Sequence, residues 1–200
     1  MRKMTKQQEK SLQTQQELLD SAKKLFARKG FVATTVSEIT AEAGYAKGSF
    51  YRHWASKDEI MLKIIADKMQ SYRSMRNMAL RDARSLSEVM DHILNFLESM
   101  IDDRNWCSVF LEFTIHASRN EELRGFLNQS LYRLSDDIFE DIVGPYIQSG
   151  FPAKKIGALN TALFEGFLIH SLLGTGTIDR EDFRQAAKTL ALANALGNQS

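Results

Sequence analysis

The stretch that most limits how this chain can fold is residues 32–60, VATTVSEITAEAGYAKGSFYRHWASKDEI, where start and stop signals for three helices follow in close succession. Thr35 is placed to cap a helix over residues 36–43. Its hydroxyl can accept an orphan N–H of the first turn, and Glu38, three residues on, completes a capping box. Gly44 stops that helix. A second helix fits residues 47–54, where Phe50 and Trp54 share one face and Lys47, Tyr51 and His53 carry polar tips. Ser56 then caps a third. Two helices joined by a tight turn that opens on glycine, the second short and rich in donors, form the helix-turn-helix pattern, which lays its second helix in the major groove of duplex DNA.

Charge is distributed to match. Across the 200 residues Lys and Arg outnumber Asp and Glu only 26 to 25, which by itself says nothing about nucleic acid. Residues 1–57 hold eleven bases against five acids, a net of +6, and the remaining residues fifteen against twenty, a net of −5. A basic amino-terminal third on an acidic body is the footprint of a protein that docks on phosphates through one end. The first ten residues, MRKMTKQQEK, lack an apolar period and read as a mobile basic tail.

The rest of the chain is helical in pattern, with apolar residues three and four apart and two prolines, Pro145 and Pro152. An all-α protein is expected. Helix 12–29 would bury Leu18, Leu19, Ala22, Leu25 and Phe26 against the helix-turn-helix pair. Ile60, Ile64, Ile65, Met69 and Tyr72 form the stripe of a long helix, ended by the polar stretch 73–85. Ser85 or Ser87 caps a helix through residue 100, and further helices are expected over 106–118, 121–143, 152–173 and 179–196. The domains divide as residues 1–60, a helix-turn-helix reading domain, and 61–200, a larger helical domain. A single cysteine, Cys107, rules out an internal disulfide and a cysteine-based metal cage. No uninterrupted apolar run reaches the ~18 residues that span a bilayer, so a cytoplasmic protein with no membrane partner is expected. No glycine-rich phosphate loop, nucleophile elbow or helical His/Glu metal pair is present, which argues against an enzyme and leaves a protein-interaction module as the rival to a DNA reader. No metal or cofactor is expected.

Thr35, Ile39, Ala43-Gly44, Lys47-Gly48-Ser49, Phe50-Tyr51, His53 and Ser56-Lys57-Asp58-Glu59 closely resemble the amino-terminal signature of the tetracycline-repressor (TetR) family of bacterial transcription regulators. Ala22 to Phe26 and Lys29-Gly30-Phe31 fit that family's first helix and the turn after it, so the resemblance covers roughly residues 12–65. It implies that Thr35, Tyr51, His53 and Lys57 grip phosphates of a double-stranded operator while Lys47, Gly48 and Ser49 reach base edges. Lys57 would place its ammonium and the adjacent free N–H groups on one phosphate. Two positions depart from the pattern. Ala46 stands where a hydroxyl is usual, so the recognition helix lacks a side-chain cap. Tyr45 replaces a small aliphatic residue, either to contact phosphate or to fill space. Arg52 faces DNA or solvent.

The same resemblance implies that the larger domain holds a small-molecule effector and dimerises. Phe96, Met100, Trp106, Phe110, Phe113, His116 and Phe167 are candidates for an aromatic pocket with a polar anchor. The segment FLEFTIHASRNEELRGFLNQSL, from Phe110, resembles the effector domain of choline-responsive betaine regulators, a likeness that does not carry the ligand with it. Glu112 would meet a cationic ligand group or pair with Arg119. Ala158, Ala162, Gly166 and His170 recur every four residues as a flat ridge, with Leu159, Leu163, Phe167 and Ile169 adding apolar area, for a homodimer interface built from the last two helices. One recognition helix reads only a few base pairs, so a symmetric pair on a palindrome is the arrangement that yields specificity. The resemblance further implies repression relieved by the effector, with helix 58–78 as the lever.

Overall fold

The computed structural model describes residues 5–79, 83–129, 136, 139–148 and 150–195, and within them the chain is helical, with one isolated bridge between Ile147 and Ala195. Among the described residues nine α-helices follow in order: α1 (Lys6–Lys29), α2 (Val36–Glu42), α3 (Lys47–Phe50), α4 (Lys57–Ala79), α5 (Leu86–Asp102), α6 (Arg104–Ala117), α7 (Glu121–Leu127), α8 (Ala153–Leu173) and α9 (Arg180–Leu192). A π turn, Phe139–Val143, and a 3-10 turn, Gly144–Tyr146, precede α8. The chain folds as two compact units. The first is residues 1–68 together with 108–116, and the second is 69–107 with 117–200. The division therefore falls eight residues beyond the expected boundary at 60, and the first unit is not one continuous stretch of sequence.

In the first unit, α1 starts six residues earlier than the apolar period suggested. Thr5 caps it, accepting the Gln8 N–H at 3.3 Å while the Gln8 side chain accepts the Thr5 N–H at 2.9 Å. Half of the stretch expected to be a mobile tail, residues 6–10, is thus helix, fixed by a capping box that periodicity alone does not register. Leu18, Leu19, Ala22, Leu25 and Phe26 are buried on its inner side, as expected from their spacing. Phe31, Ile39, Phe50, Trp54, Ile60, Met61, Ile64 and Ile65 complete this core.

The second unit rests on amphipathic helices. Ser85 caps α5, accepting the Glu88 N–H at 3.3 Å, and Leu86, Val89, Met90, Ile93, Leu94 and Ile101 are its buried stripe. On α8 the buried residues are Ala153, Ile156, Gly157, Asn160, Phe164, Phe167 and Leu168. Gly157 is required there, because a Cβ would lie 2.9 Å from the Phe139 side chain. Phe167 stacks on Phe183 of α9 at 5.3 Å with ring planes 6° apart. By length and composition α8 is apolar enough to cross a membrane, although its buried stripe here belongs to a helical core.

Helix α4 ends at Ala79, within one residue of the expected 58–78, and so runs into the first half of the polar stretch 73–85, since Arg, Met and Ala are good helix formers whatever their hydropathy. Two other helix ends differ from expectation. Helix α7 ends at Leu127, and of the expected helix 121–143 residues 130–135, 137 and 138 lie outside the described residues. Helix α9 ends at Leu192, and the Asn194 carbonyl accepts the Gln148 N–H at 3.3 Å beside the Ile147–Ala195 bridge.

Candidate nucleic-acid interface

Helix α2 is held by the box expected for it. The Thr35 hydroxyl accepts the Glu38 N–H at 3.3 Å and donates to the Glu38 carboxylate at 2.7 Å, and that carboxylate also accepts the Thr35 N–H at 2.8 Å. Lys29 at the end of α1 pairs with the same carboxylate. The Lys29 ammonium and the Thr35 donors draw the Glu38 pKa from 4.5 down to about 2. The Thr35 hydroxyl is therefore committed to capping, where a grip on phosphate was expected of it.

Gly44, at φ +75°, turns the chain out of α2 where a side chain would be strained. Tyr45 then folds back onto α1. Its hydroxyl donates to the Glu17 carboxylate and lies 3.4 Å from the Thr14 hydroxyl, which decides between its two readings in favour of packing. Ala46 leaves α3 without a side-chain cap, as its methyl group requires.

The recognition helix is shorter than expected, Lys47–Phe50 rather than 47–54. The Phe50 carbonyl accepts both the His53 and Trp54 N–H groups at 2.9 Å, so the helix tightens into a turn once the buried Phe50 is seated. Lys47 and Gly48 are exposed, Ser49 and His53 half-buried, and Tyr51 is 54% exposed with its ring edge-on to Phe50 at 5.3 Å. A Cβ at Gly48 would meet nothing within 4 Å, so its lack of a side chain answers no packing need of the fold and leaves the backbone open to approach. Arg52 is exposed and donates to the Ser49 hydroxyl at 2.9 Å, which sets a guanidinium fork beside the recognition helix.

Lys57 departs from its expected role. Its ammonium is turned inward, donating to the carbonyl oxygens of Phe31 (2.7 Å), Thr34 (2.8 Å) and Val32 (3.3 Å) and lying 4.3 Å above the Phe31 ring. Partial burial lowers its pKa, with Asp58 and Glu112 pulling the other way. All three ammonium protons are thus engaged within the fold, and the phosphate grip assigned to that ammonium does not fit. The start of α4 is capped by Ser56, which accepts the Glu59 N–H at 3.1 Å, while the Glu59 carboxylate accepts the Ala55 N–H.

Glu112 is likewise neither aimed at a ligand nor paired with Arg119. Its carboxylate accepts the N–H of Phe31 at 2.7 Å and of Val32 at 2.9 Å. One turn on, the His116 ring lies 2.9 Å from the Asp58 carboxylate, and between them Phe113 packs edge-on against Phe31 at 4.9 Å. Nothing local in the sequence announces these contacts, since Glu112 is 81 positions from Phe31. The one trace is Gly30, whose Cβ would sit 2.7 Å from the Glu112 carboxylate.

Residues 18–64 match the family described as bacterial regulatory proteins, tetR family, and residues 86–194 match the BetI-type transcriptional repressor carboxy-terminal domain. The chain belongs to the TetR family. This regulator is 29% identical over 139 residues to the HTH-type transcriptional regulator YfiR of Bacillus subtilis, covering 68% of this chain and 64% of that one. It is 23% identical over 178 residues to the HTH-type transcriptional regulator BetI of Brucella abortus, 88% of this chain and 85% of that one. Its fold matches a transcriptional regulator from Saccharomonospora viridis in complex with choline (TM-score 0.73, 18% identity, 93% and 99% coverage). It also matches the regulator FadR from Bacillus subtilis in complex with stearoyl-CoA (TM-score 0.72, 19% identity, 90% and 98%). The family's regulators bind DNA operators and function as dimers.

The candidate ligand residues of this TetR-family regulator are divided between the two units. Phe110, Phe113 and His116 belong to the first unit, and Phe96, Met100, Trp106 and Phe167 to the second. Phe113 and His116 are packed on Phe31 and Asp58, so their place in an effector pocket is withdrawn. Phe167 is internal, against Phe183, and is withdrawn from the interface ridge. Ala158, Ala162 and His170 are exposed and Gly166 is half-buried, on the side of α8 away from its buried stripe. Leu159, Leu163, Ile169 and Leu173 are exposed on the same helix.

Proposed function

We propose that this TetR-family member is a ligand-responsive repressor that binds a palindromic operator as a homodimer and is released by a small amphipathic molecule. The observation that carries the reading is the row of exposed Lys47, Gly48 and Tyr51 with half-buried Ser49, flanked by Arg52 and His53, standing on a buried Phe50–Trp54 floor between two capped helices. Lys47 and Ser49 reach base edges over the open backbone of Gly48, and Tyr51, His53 and the Arg52 fork take phosphates. The free N–H groups at the start of α4, not the Lys57 ammonium, serve the phosphate there.

Dimerisation through α8 and α9 is supported by the ridge of Ala158, Ala162, Gly166 and His170, edged by four exposed aliphatic residues. Effector control is supported by the choline and stearoyl-CoA complexes of the structural neighbours, whose ligands each join a charged or polar group to apolar surface. Phe96, Met100, Trp106 and Phe167 of the second unit are the candidates to hold such a molecule. The ligand acts by preferring a form of the dimer whose heads are spaced wrongly for the operator, with α4 as lever, and its leverage is the difference of its affinities for the two forms, typically ~1–3 kcal/mol.

The test is binding to DNA from the regulator's own promoter across a salt series, with Tyr51→Ala as control. Tight binding whose logarithm falls steeply with the logarithm of salt, and which Tyr51→Ala weakens at unchanged helicity, supports the reading. Binding no tighter than to random DNA of equal length, for this promoter and for fragments selected from a random pool, overturns it.

A further inference from the structure

Two charged side chains of the first unit converge on one short loop, the turn from Gly30 to Thr34 that joins α1 to α2. The Glu112 carboxylate takes its two amide N–H groups, those of Phe31 and Val32, at 2.7 and 2.9 Å. The Lys57 ammonium takes three of its carbonyl oxygens, those of Phe31, Val32 and Thr34, at 2.7 to 3.3 Å. Phe31 between them is fully buried, with Phe26 at 5.3 Å, Phe113 at 4.9 Å and His116 at 5.2 Å. His116, on the same face of α6 as Glu112, reaches Asp58 in the first turn of α4. The loop thus has an anion on its donors and a cation on its acceptors, each a charge-assisted hydrogen bond of the stronger kind. Gly30 makes room for this, with φ +85° and no Cβ in the path of the carboxylate.

What the clamp fixes is the position of α2. Thr34 closes the loop on the Gly30 carbonyl, and Thr35, directly after it, caps the helix on which α3 is mounted. A loop free to adopt other conformations would let α2 tilt, and contacts to base edges tolerate displacements of only a few tenths of an ångström before their hydrogen bonds weaken. We infer that Glu112 and Lys57 are positioning residues for DNA reading: together they hold the α1–α2 loop, and through it the recognition helix, in the geometry the operator requires, without touching DNA themselves. This deepens the DNA-reading assignment and rests on it. It also makes residues 108–116, far downstream in sequence, a working part of the reading head.

The experiment compares the full-length protein with Glu112→Gln and Lys57→Met, reading amide hydrogen exchange at Phe31 and Val32 and operator affinity over a salt series. In Glu112→Gln one carboxylate oxygen becomes an NH2 that faces an N–H donor, so one of the two bonds is lost while the shape is kept. Exchange at the two amides is expected to quicken tenfold or more, and operator affinity to fall about tenfold, the equivalent of one lost hydrogen bond to a charged group. In both variants the slope of log affinity against log salt stays as in the parent, because no phosphate contact has been removed. Were the Lys57 ammonium on a phosphate, its slope would drop by about one in Lys57→Met. Unchanged exchange in Glu112→Gln overturns the clamp, and quickened exchange with affinity within twofold of the parent overturns its positioning role. A parent protein that bound no DNA specifically would count against the DNA-reading assignment, while the exchange measurement would still decide whether the clamp exists.

Discussion

Charged side chains hold both units together, but they choose different partners. In the first, Glu112 and Lys57 meet peptide groups of a loop. In the second, helices α5 and α9 run a ladder of charge on charge: Lys188 to Asp91 at 2.9 Å, Arg184 to Asp91 at 3.1 Å and Glu98 at 3.0 Å, and Arg180 to Asp102 at 2.5 Å. The rungs fall at residues 180, 184 and 188 on one helix and 91, 98 and 102 on the other, the spacing at which antiparallel faces meet. A charge on a backbone dipole fixes where a particular peptide lies. A ladder between two regular helices fixes their register but tolerates the loss of any rung. Fine positioning is thus concentrated in the unit that reads DNA, and redundancy in the unit that carries the proposed interface.

Four substitutions or conditions sharpen that contrast. The largest effect is expected from Phe31→Ala, which empties the fully buried site under the clamp. Urea unfolding of this variant should show a loss of about 3–5 kcal/mol, and a loss below ~1 kcal/mol would mean the loop is not held from beneath. Next comes Gly30→Ala, which forces a side chain into left-handed backbone and against the Glu112 carboxylate. The same measurement should give a loss of roughly 1–3 kcal/mol, with quickened exchange at Phe31 and Val32. Arg184→Ala removes bonds to Asp91, Glu98 and Asn95 from a side chain only 19% exposed. A loss of about 1 kcal/mol that shrinks in 1 M salt is expected for the ladder. The clamp amides should keep their protection in that salt.

The smallest effect is one of pH. The Lys188 ammonium holds the Asp91 carboxyl below its ordinary value of 3.8. Since the folded pKa is the lower of the two, the stabilisation is complete above the unfolded value and is lost as pH falls through the folded one. Thermal unfolding of the wild type should therefore lose stability faster than that of Asp91→Asn as pH drops below about 4. Parallel curves would show that the rung contributes nothing. Glu38, drawn to about 2, should keep its charge, and with it the α2 cap, well below pH 4.

The sequence shows most plainly what is local. The Thr35-to-Glu38 box, the stop at Gly44, the uncapped Ala46, the Ser85 cap and the inner stripes of α1 and α5 all follow from spacings of three or four residues. The failures share a cause as well. Lys57, Glu112 and His116 are polar residues whose partners lie 23 or more positions away, so they were assigned to DNA, to a ligand or to a near neighbour while the fold turned them inward; Tyr45, left open between phosphate and packing, was decided in the same way by Glu17. Hydrophobic period also misled at the start of α1. Helix runs there through polar residues because a cap and propensity sustain it where burial does not.

The reading unit takes residues 108–116 from a helix that begins at Arg104, and this bears on engineering. A chimera spliced near residue 60, a natural cut for grafting this specificity onto another regulator, would leave behind Glu112, Phe113 and His116. The transplanted head would expose the Phe31 ring and two amides that had a carboxylate partner. Portability demands that the graft carry the distant segment, or that the recipient offer a carboxylate, a ring and an imidazole at the same places on its own sixth helix.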